Sequence, residues 1–218
     1  MPYELIVSEK PSAAKRIAES LADGKPIKRT QGKVSYYEIA HNKKDIIVAC
    51  AVGHLYTVAE KKKSFKYPSF DLEWKPVFEV DKKAAFSKQY LDVIKKLAKD
   101  ANEFTVACDF DIEGEVIGLN IIRFACEQKD ARRMKFSTTT KEDLVEAYEK
   151  AQSHIEWGQA NAGETRHYLD WMYGINLTRA LTLAIKDSGL FKILSAGRVQ
   201  CPTLKIVVDR EHEIAAIK

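Results

Sequence analysis

Four acids stand at every second position of the stretch VACDFDIEGEVIG: Asp109, Asp111, Glu113 and Glu115, closing an apolar run. Carboxylates this close repel one another, which raises their pKa values and opposes a compact fold unless the charge is offset. A shared cation would offset it. Hard carboxylate oxygens suit Mg²⁺, which is held through few protein ligands and several waters. The alternative is an acidic, solvated loop ahead of a helix, because acids favour a helix amino terminus.

The elements around the acids decide how far they converge. FTVACD reads as a buried strand with Asp109 at its carboxyl end, the place where open α/β sheets bind ligands. Asp109 and Asp111 point the same way while the chain stays extended, and Gly114 can release it into a helix. Asp109, Asp111 and Glu113 are therefore expected at one strand edge. Near the start, YELIVSE is a second short apolar run, followed by PSAAKRIAESLADG with Pro11 near a helix start and Gly24 past its end. Glu9 and Lys10 then lie at the carboxyl end of the first strand, beside the same crevice if the two strands are neighbours.

Further along, KVSYYEIA and KDIIVACAVG, separated by HNKK, imply a hairpin. Residues 61–76, with two prolines and a lysine run, read as a surface loop. Then come a helix through AAFSKQYLDVIKKLAKDA, the FTVACD strand, a helix from about Glu115 to Cys126, a strand RRMKFS and a helix through KEDLVEAYEKA. Strands separated by helices of this length imply an α/β fold with a mainly parallel sheet covered on both faces. From about His154 the pattern is almost continuously helical, so the expected division is residues 1–153 and 154–218.

With 218 residues, 45% hydrophobic and 30% charged, the chain can bury a real core, and disorder is not expected. Its apolar runs are shorter than the roughly 20 residues of a spanning helix, and MPYELIVSEK lacks the features of a signal peptide. A soluble cytoplasmic protein with no membrane partner is the expectation. Cys50, Cys108, Cys126 and Cys201 are scattered without a CxxC pair, so neither a zinc site nor a disulfide framework is indicated. The net charge of +4 permits a polyanionic partner without requiring one.

Four motifs, VSEKPSAAKRIAESL, AVGHL at residues 51–55, ACDFDIEGEVIG and SAGRVQCPTL at residues 195–204, together resemble the amino-terminal part of type IA DNA topoisomerases, in this order. The first three resemble their Toprim domain, a Rossmann-like sheet with flanking helices. The fourth resembles the start of the helical DNA-binding domain that follows. The EKPS form is similar to the archaeal or topoisomerase-III-like branch. The resemblance implies that Glu9 and Lys10 are catalytic, Glu9 in proton transfer at the departing 3′ oxygen and Lys10 against the phosphoryl oxygens. It implies that Asp109, Asp111 and Glu113 hold Mg²⁺. Arg198 and Gln200 fall in the GRVQ segment that lines the single-strand groove, and ETRHYLDWMYG adds Arg166 and Asp170 as DNA contacts. His167 and Trp171 stand where several members have arginines. His54 fits either a partly buried histidine or a catalytic one, and Tyr168, Trp171 and Tyr173 fit core packing better than base stacking for two of the three.

Type IA enzymes cut with a tyrosine in a motif resembling SxYxRT, which none of the nine tyrosines here occupies. The implied identity is thus a fragment, inactive alone, of a monomeric, nucleoid-associated enzyme if prokaryotic. Its partners would be single-stranded or underwound duplex DNA and the remaining domains of the same protein. Two alternatives stay open: a self-sufficient Toprim nuclease or primase-type enzyme, and a non-catalytic DNA-binding module.

Overall fold

Strand β1 (Tyr3–Ser8) is buried from Glu4 onward on both faces, the mark of a strand inside a helix-covered parallel sheet. In the computed structural model, which describes residues 2–217, it lies within a six-stranded sheet of order β2-β3-β4-β1-β7-β8. The other strands are β2 (Ile27–Gln31), β3 (Val34–His41), β4 (Lys44–Cys50), β7 (Ala101–Ala107) and β8 (Arg132–Arg133). β1 runs parallel to β4 and β7, and β7 parallel to β8, while β3 is antiparallel to both β2 and β4. The mainly parallel sheet and the helical stretch that follows are what the strand and helix alternation implied.

Ser8 is in register with Cys50 on one side and Ala107 on the other. The residues that follow each strand, Glu9, Ala51 and Cys108, therefore leave the sheet side by side at its carboxyl edge. The chain places β4 on one side of β1 and β7 on the other, the reversal in strand order that opens a crevice in such sheets.

Helices α1 (Pro11–Leu21) and α5 (Lys141–Glu149) cover one face. Ile17, Leu21, Leu144 and Tyr148 pack there with Ile6, Val48, Ala107 and Met134. Full burial of a side chain the size of Ile17 or Leu21 contributes about 1.5–3 kcal/mol. α3 (Ser87–Ala98) buries Leu91, Ile94 and Leu97. α4 (Ile112–Asn120) sits against the opposite face of β7, so closely that a Cβ on Gly118 would stand 2.4 Å from Val106 Cγ1. Gly118 is glycine because the strand leaves no room for more.

Local structure departs from the sequence pattern in four places. Both residues of the β3–β4 turn, Asn42 and Lys43, have positive φ (48° and 66°) although neither is glycine, the backbone a two-residue hairpin demands. The expected strand RRMKFS shrinks to Arg132 and Arg133, because the Arg133 side chain turns inward to bind groups of β7 and α4. The helix expected from Glu115 to Cys126 begins at Ile112 and ends in a π turn, Ile121–Ala125. The loop expected over 61–76 contains β6 (Leu72–Pro76), which pairs with β5 (Tyr56–Glu60) in a two-stranded sheet.

The chain divides into two compact units, residues 2–57 with 75–164 and residues 58–74 with 165–217. In the second, α6 (Trp157–Asp187) continues beyond Thr165 and α7 (Gln200–Ala216) has no buried residue. Arg179 grips Glu60 through two bonds, Nη1 to Oε1 at 2.7 Å and Nη2 to Oε2 at 2.9 Å. Asn176 exchanges two bonds with the backbone of Ser69. These contacts anchor the 61–71 stretch to the long helix within that unit. No helix among the described residues is long and apolar enough to cross a membrane.

Candidate active site

The turn after β4 is strained. Val52 has φ 57° and Gly53 φ 81°, and a β-branched residue in the left-handed region persists only where its surroundings hold it. The Ala51 and Gly53 amides donate to the Ser8 and Glu9 carbonyls at 2.9 and 3.1 Å, which ties the turn to the end of β1. The next residue, His54, has Nε2 at 3.1 Å from Glu113 Oε2.

From the end of β1, Lys10 reaches across to β7. Its Nζ donates to Asp109 Oδ2 at 2.6 Å and lies 3.7 Å from Glu9 Oε1. Partial burial raises the Glu9 pKa, repulsion from Asp109 adds to it, and the Lys10 charge opposes both. The hydrogen bond to Asp109, and then the Glu9 charge, raise the pKa of Lys10. At the start of α4, Asp111 Oδ1 accepts from the Gly114 amide at 2.7 Å as the helix cap. Gly114 has no substitute there: a Cβ would stand 2.2 Å from the Asp109 carbonyl oxygen.

Glu9, Lys10 and Asp109 thus meet at the carboxyl ends of β1 and β7, Asp111 caps the helix that follows, and Glu113 in its first turn meets His54. The three acids nominated for a metal fit a hard divalent ion, since all are oxygen donors. Asp109 and Asp111 each keep a second carboxylate oxygen beyond the one bound to Lys10 or to the helix amide.

The fourth acid has a different task. Glu115 is fully buried, with Oε2 accepting from Arg133 Nε at 2.8 Å and Oε1 accepting from the Glu156 amide at 2.7 Å. Arg133, equally buried, also donates to the carbonyls of Cys108, Met134 and Asp109, each at 2.8 Å. One guanidinium therefore clamps the backbone on which Asp109 is mounted. Sequence reasoning missed Arg133. Its one signal was an arginine inside a stretch read as a strand of a sheet covered on both faces, where an unpaired charge is not tolerated.

In the second unit, Arg198 forms a two-point pair with Asp170, Nε to Oδ1 at 2.6 Å and Nη2 to Oδ2 at 3.2 Å, and Arg166 Nε lies 3.7 Å from Oδ2. The hydrogen bond from Arg198 lowers the Asp170 pKa. Arg198 remains about half exposed. Gln200 begins α7 and accepts from Ser195 Oγ at 3.1 Å. Trp171 lies under Arg179 at 5.8 Å, and His167 and Tyr168 pack on Trp74, whereas Tyr173 is exposed.

Comparison with known proteins adds to this geometry. A family model described as Toprim domain matches residues 4–139, and one described as DNA topoisomerase matches residues 154–218. DNA topoisomerase 1 of Pyrococcus furiosus is 51% identical over 213 residues, covering 96% of this chain and 20% of that protein. DNA topoisomerase 1 of Pyrococcus horikoshii is 50% identical, covering 96% and 31%, and DNA topoisomerase 3 of Vibrio cholerae is 31% identical, covering 96% and 33%. The solved structure of full-length topoisomerase I from Thermotoga maritima superposes with a TM-score of 0.66 at 28% identity, covering 98% of this chain and 31% of that one. The chain spans between a fifth and a third of these proteins.

Proposed function

The chain belongs to the Toprim domain family, and on that footing we propose that it is the amino-terminal part of a type IA DNA topoisomerase, with a Toprim domain over residues 1–153 and the start of a helical DNA-binding domain over 154–218. The observation that carries the reading is the meeting of Glu9, Lys10 and Asp109 at the edge shared by β1 and β7, with Asp111 capping the helix that starts there.

In this reading a tyrosine from elsewhere in the longer protein attacks a phosphodiester of single-stranded or underwound DNA. The bond from phosphorus to the 3′ oxygen breaks as the tyrosyl bond forms, leaving a 5′-phosphotyrosine and a 3′ hydroxyl. Lys10, already fixed by Asp109, turns its charge to the phosphoryl oxygens, where the transition state is most negative. Glu9 has a raised pKa and so keeps a proton to higher pH than an ordinary glutamate. It hands that proton to the departing 3′ oxygen and takes it back on religation. Transesterification conserves the phosphodiester energy, so no ATP is needed. Toprim domains bind divalent metal. Asp109, Asp111 and Glu113 would hold Mg²⁺, which when bound offsets charge near the phosphate and orients the ends. Arg198, Arg166, Asp170 and Gln200 guide the strand, with Asp170 presenting the arginines.

The test incubates this chain with labelled single-stranded DNA and Mg²⁺ and resolves the products on denaturing gels. Binding without a protein-linked product and without hydrolysis supports the reading. Metal-dependent hydrolysis supports a Toprim nuclease instead.

A further inference from the structure

Phe110 stands between Asp109 and Asp111, yet 47% of its surface is exposed. A single exposed apolar residue needs no explanation by itself. This one is fixed in place. Lys135 Nζ lies over its ring, 4.7 Å from the centroid, and the same ammonium is held by Glu156 Oε2 at 2.6 Å. The chain Glu156–Lys135–Phe110 makes a three-part stack whose aromatic end stays open to solvent. It sits at the β8 side of the crevice, because Lys135 follows β8 by two residues and Phe110 follows β7 by three. Phe110 is the chain neighbour of Asp109, whose Oδ2 lies 2.6 Å from Lys10 Nζ, which sets its ring beside the Lys10 end of the crevice.

We infer that Phe110 is a stacking platform for an unpaired base of the nucleotide next to the phosphate held at Lys10. The inference rests on the DNA reading above and assigns it a base contact. Every base presents a π face, so such a platform binds single strands without reading their sequence. Lys135 contributes twice, through attraction to the ring and by adding positive charge near the nucleotide's own phosphate. A duplex, whose bases are already stacked, gains nothing from the contact. The platform thus favours unpaired DNA at the one place where the strand is to be cut.

The experiment compares affinities of the chain for oligothymidylate and for an abasic oligonucleotide of equal length, which keeps the phosphates and lacks the bases. Phe110→Ala is expected to weaken oligothymidylate binding about tenfold and to leave abasic binding unchanged. Phe110→Trp is expected to retain binding and to add a tryptophan emission that oligothymidylate quenches and the abasic strand does not. Phe110→Leu, similar in size but without a π system, should behave as Phe110→Ala, which separates stacking from loss of shape. Equal losses on both probes, or full binding by Phe110→Leu, overturn the inference and point to a ring that another part of the protein covers. If the unaltered chain binds neither probe, the DNA reading itself fails. If it binds both and Phe110→Ala changes nothing, only the stacking role fails.

Discussion

Replacing Arg133 with methionine removes a fully buried charge and keeps most of its apolar stem. Glu115, also fully buried, then loses its cation and keeps the Glu156 amide. Breaking a buried pair from one side costs roughly 3–5 kcal/mol. The Cys108 and Met134 carbonyls lose their guanidinium donor as well, at about 1 kcal/mol each. The expected loss is therefore about 5 kcal/mol or slightly more, a large part of the roughly 5–15 kcal/mol that a native domain has. Urea unfolding of the chain measures it directly, as a fall in midpoint at constant slope. The partner change Glu115→Leu strands the arginine and should cost about 3–5 kcal/mol. The double variant strands neither charge, so its loss should fall short of the sum of the singles by about 3 kcal/mol. A loss below about 1 kcal/mol for Arg133→Met, or losses additive to within about 0.5 kcal/mol, would refute the clamp.

Three acids sharing an ion predict that Mg²⁺ raises the melting temperature by binding only the folded state, and that Asp109→Ala with Asp111→Ala abolishes the rise; an equal rise in both chains refutes the metal assignment. The hydrogen bonds from Arg179 depress the Glu60 pKa from 4.5 to about 2. A lowered folded pKa adds stability above the unfolded value that is lost as pH falls through the folded one. Melting of the second unit should thus weaken progressively from about pH 4.5 toward 2, and Arg179→Met should flatten that decline; a slope identical in the variant refutes the pairing. If Arg198 meets a DNA phosphate, Arg198→Ala should lower affinity across unrelated single strands, reduce the salt slope by about 0.7 and leave melting unchanged, because its pair with Asp170 is exposed. Unchanged affinity with lowered melting would make it a structural pair instead.

The geometry around Asp109, Asp111 and Glu9 was legible because its signals are local: a short apolar run fixes a strand, its last residue fixes the edge, and a glycine marks the turn into the helix. The mainly parallel sheet followed from helices too long for hairpin connections, whereas the order β4-β1-β7 depends on the tertiary fold. What escaped were pairings between distant positions. Arg133 and Glu115 lie 18 residues apart and meet only because β8 joins β7. β6 hid among prolines and lysines, since its pairing with β5 depends on a partner and not on its own composition. The left-handed Val52 gave no sign at all, because a β-branched residue argues against the backbone it adopts. Core packing was expected for two of Tyr168, Trp171 and Tyr173 without telling which; the groups that Tyr168 and Trp171 meet, the Trp74 ring and the Arg179 guanidinium, are set by the tertiary fold.

The central claim is that Glu9 and Lys10 act on a phosphate cut by a tyrosine from elsewhere in the longer protein. The most direct measurement is covalent adduct formation by that longer protein with labelled single-stranded DNA, comparing Lys10→Ala and Lys10→Arg with the unaltered enzyme at matched DNA occupancy. Loss of the 5′-phosphotyrosyl adduct and of supercoil relaxation in Lys10→Ala, with both partly restored in Lys10→Arg, is the predicted result. Full adduct formation and relaxation by Lys10→Ala would contradict the account, and the contact between Lys10 and Asp109 would then serve only to hold β1 beside β7.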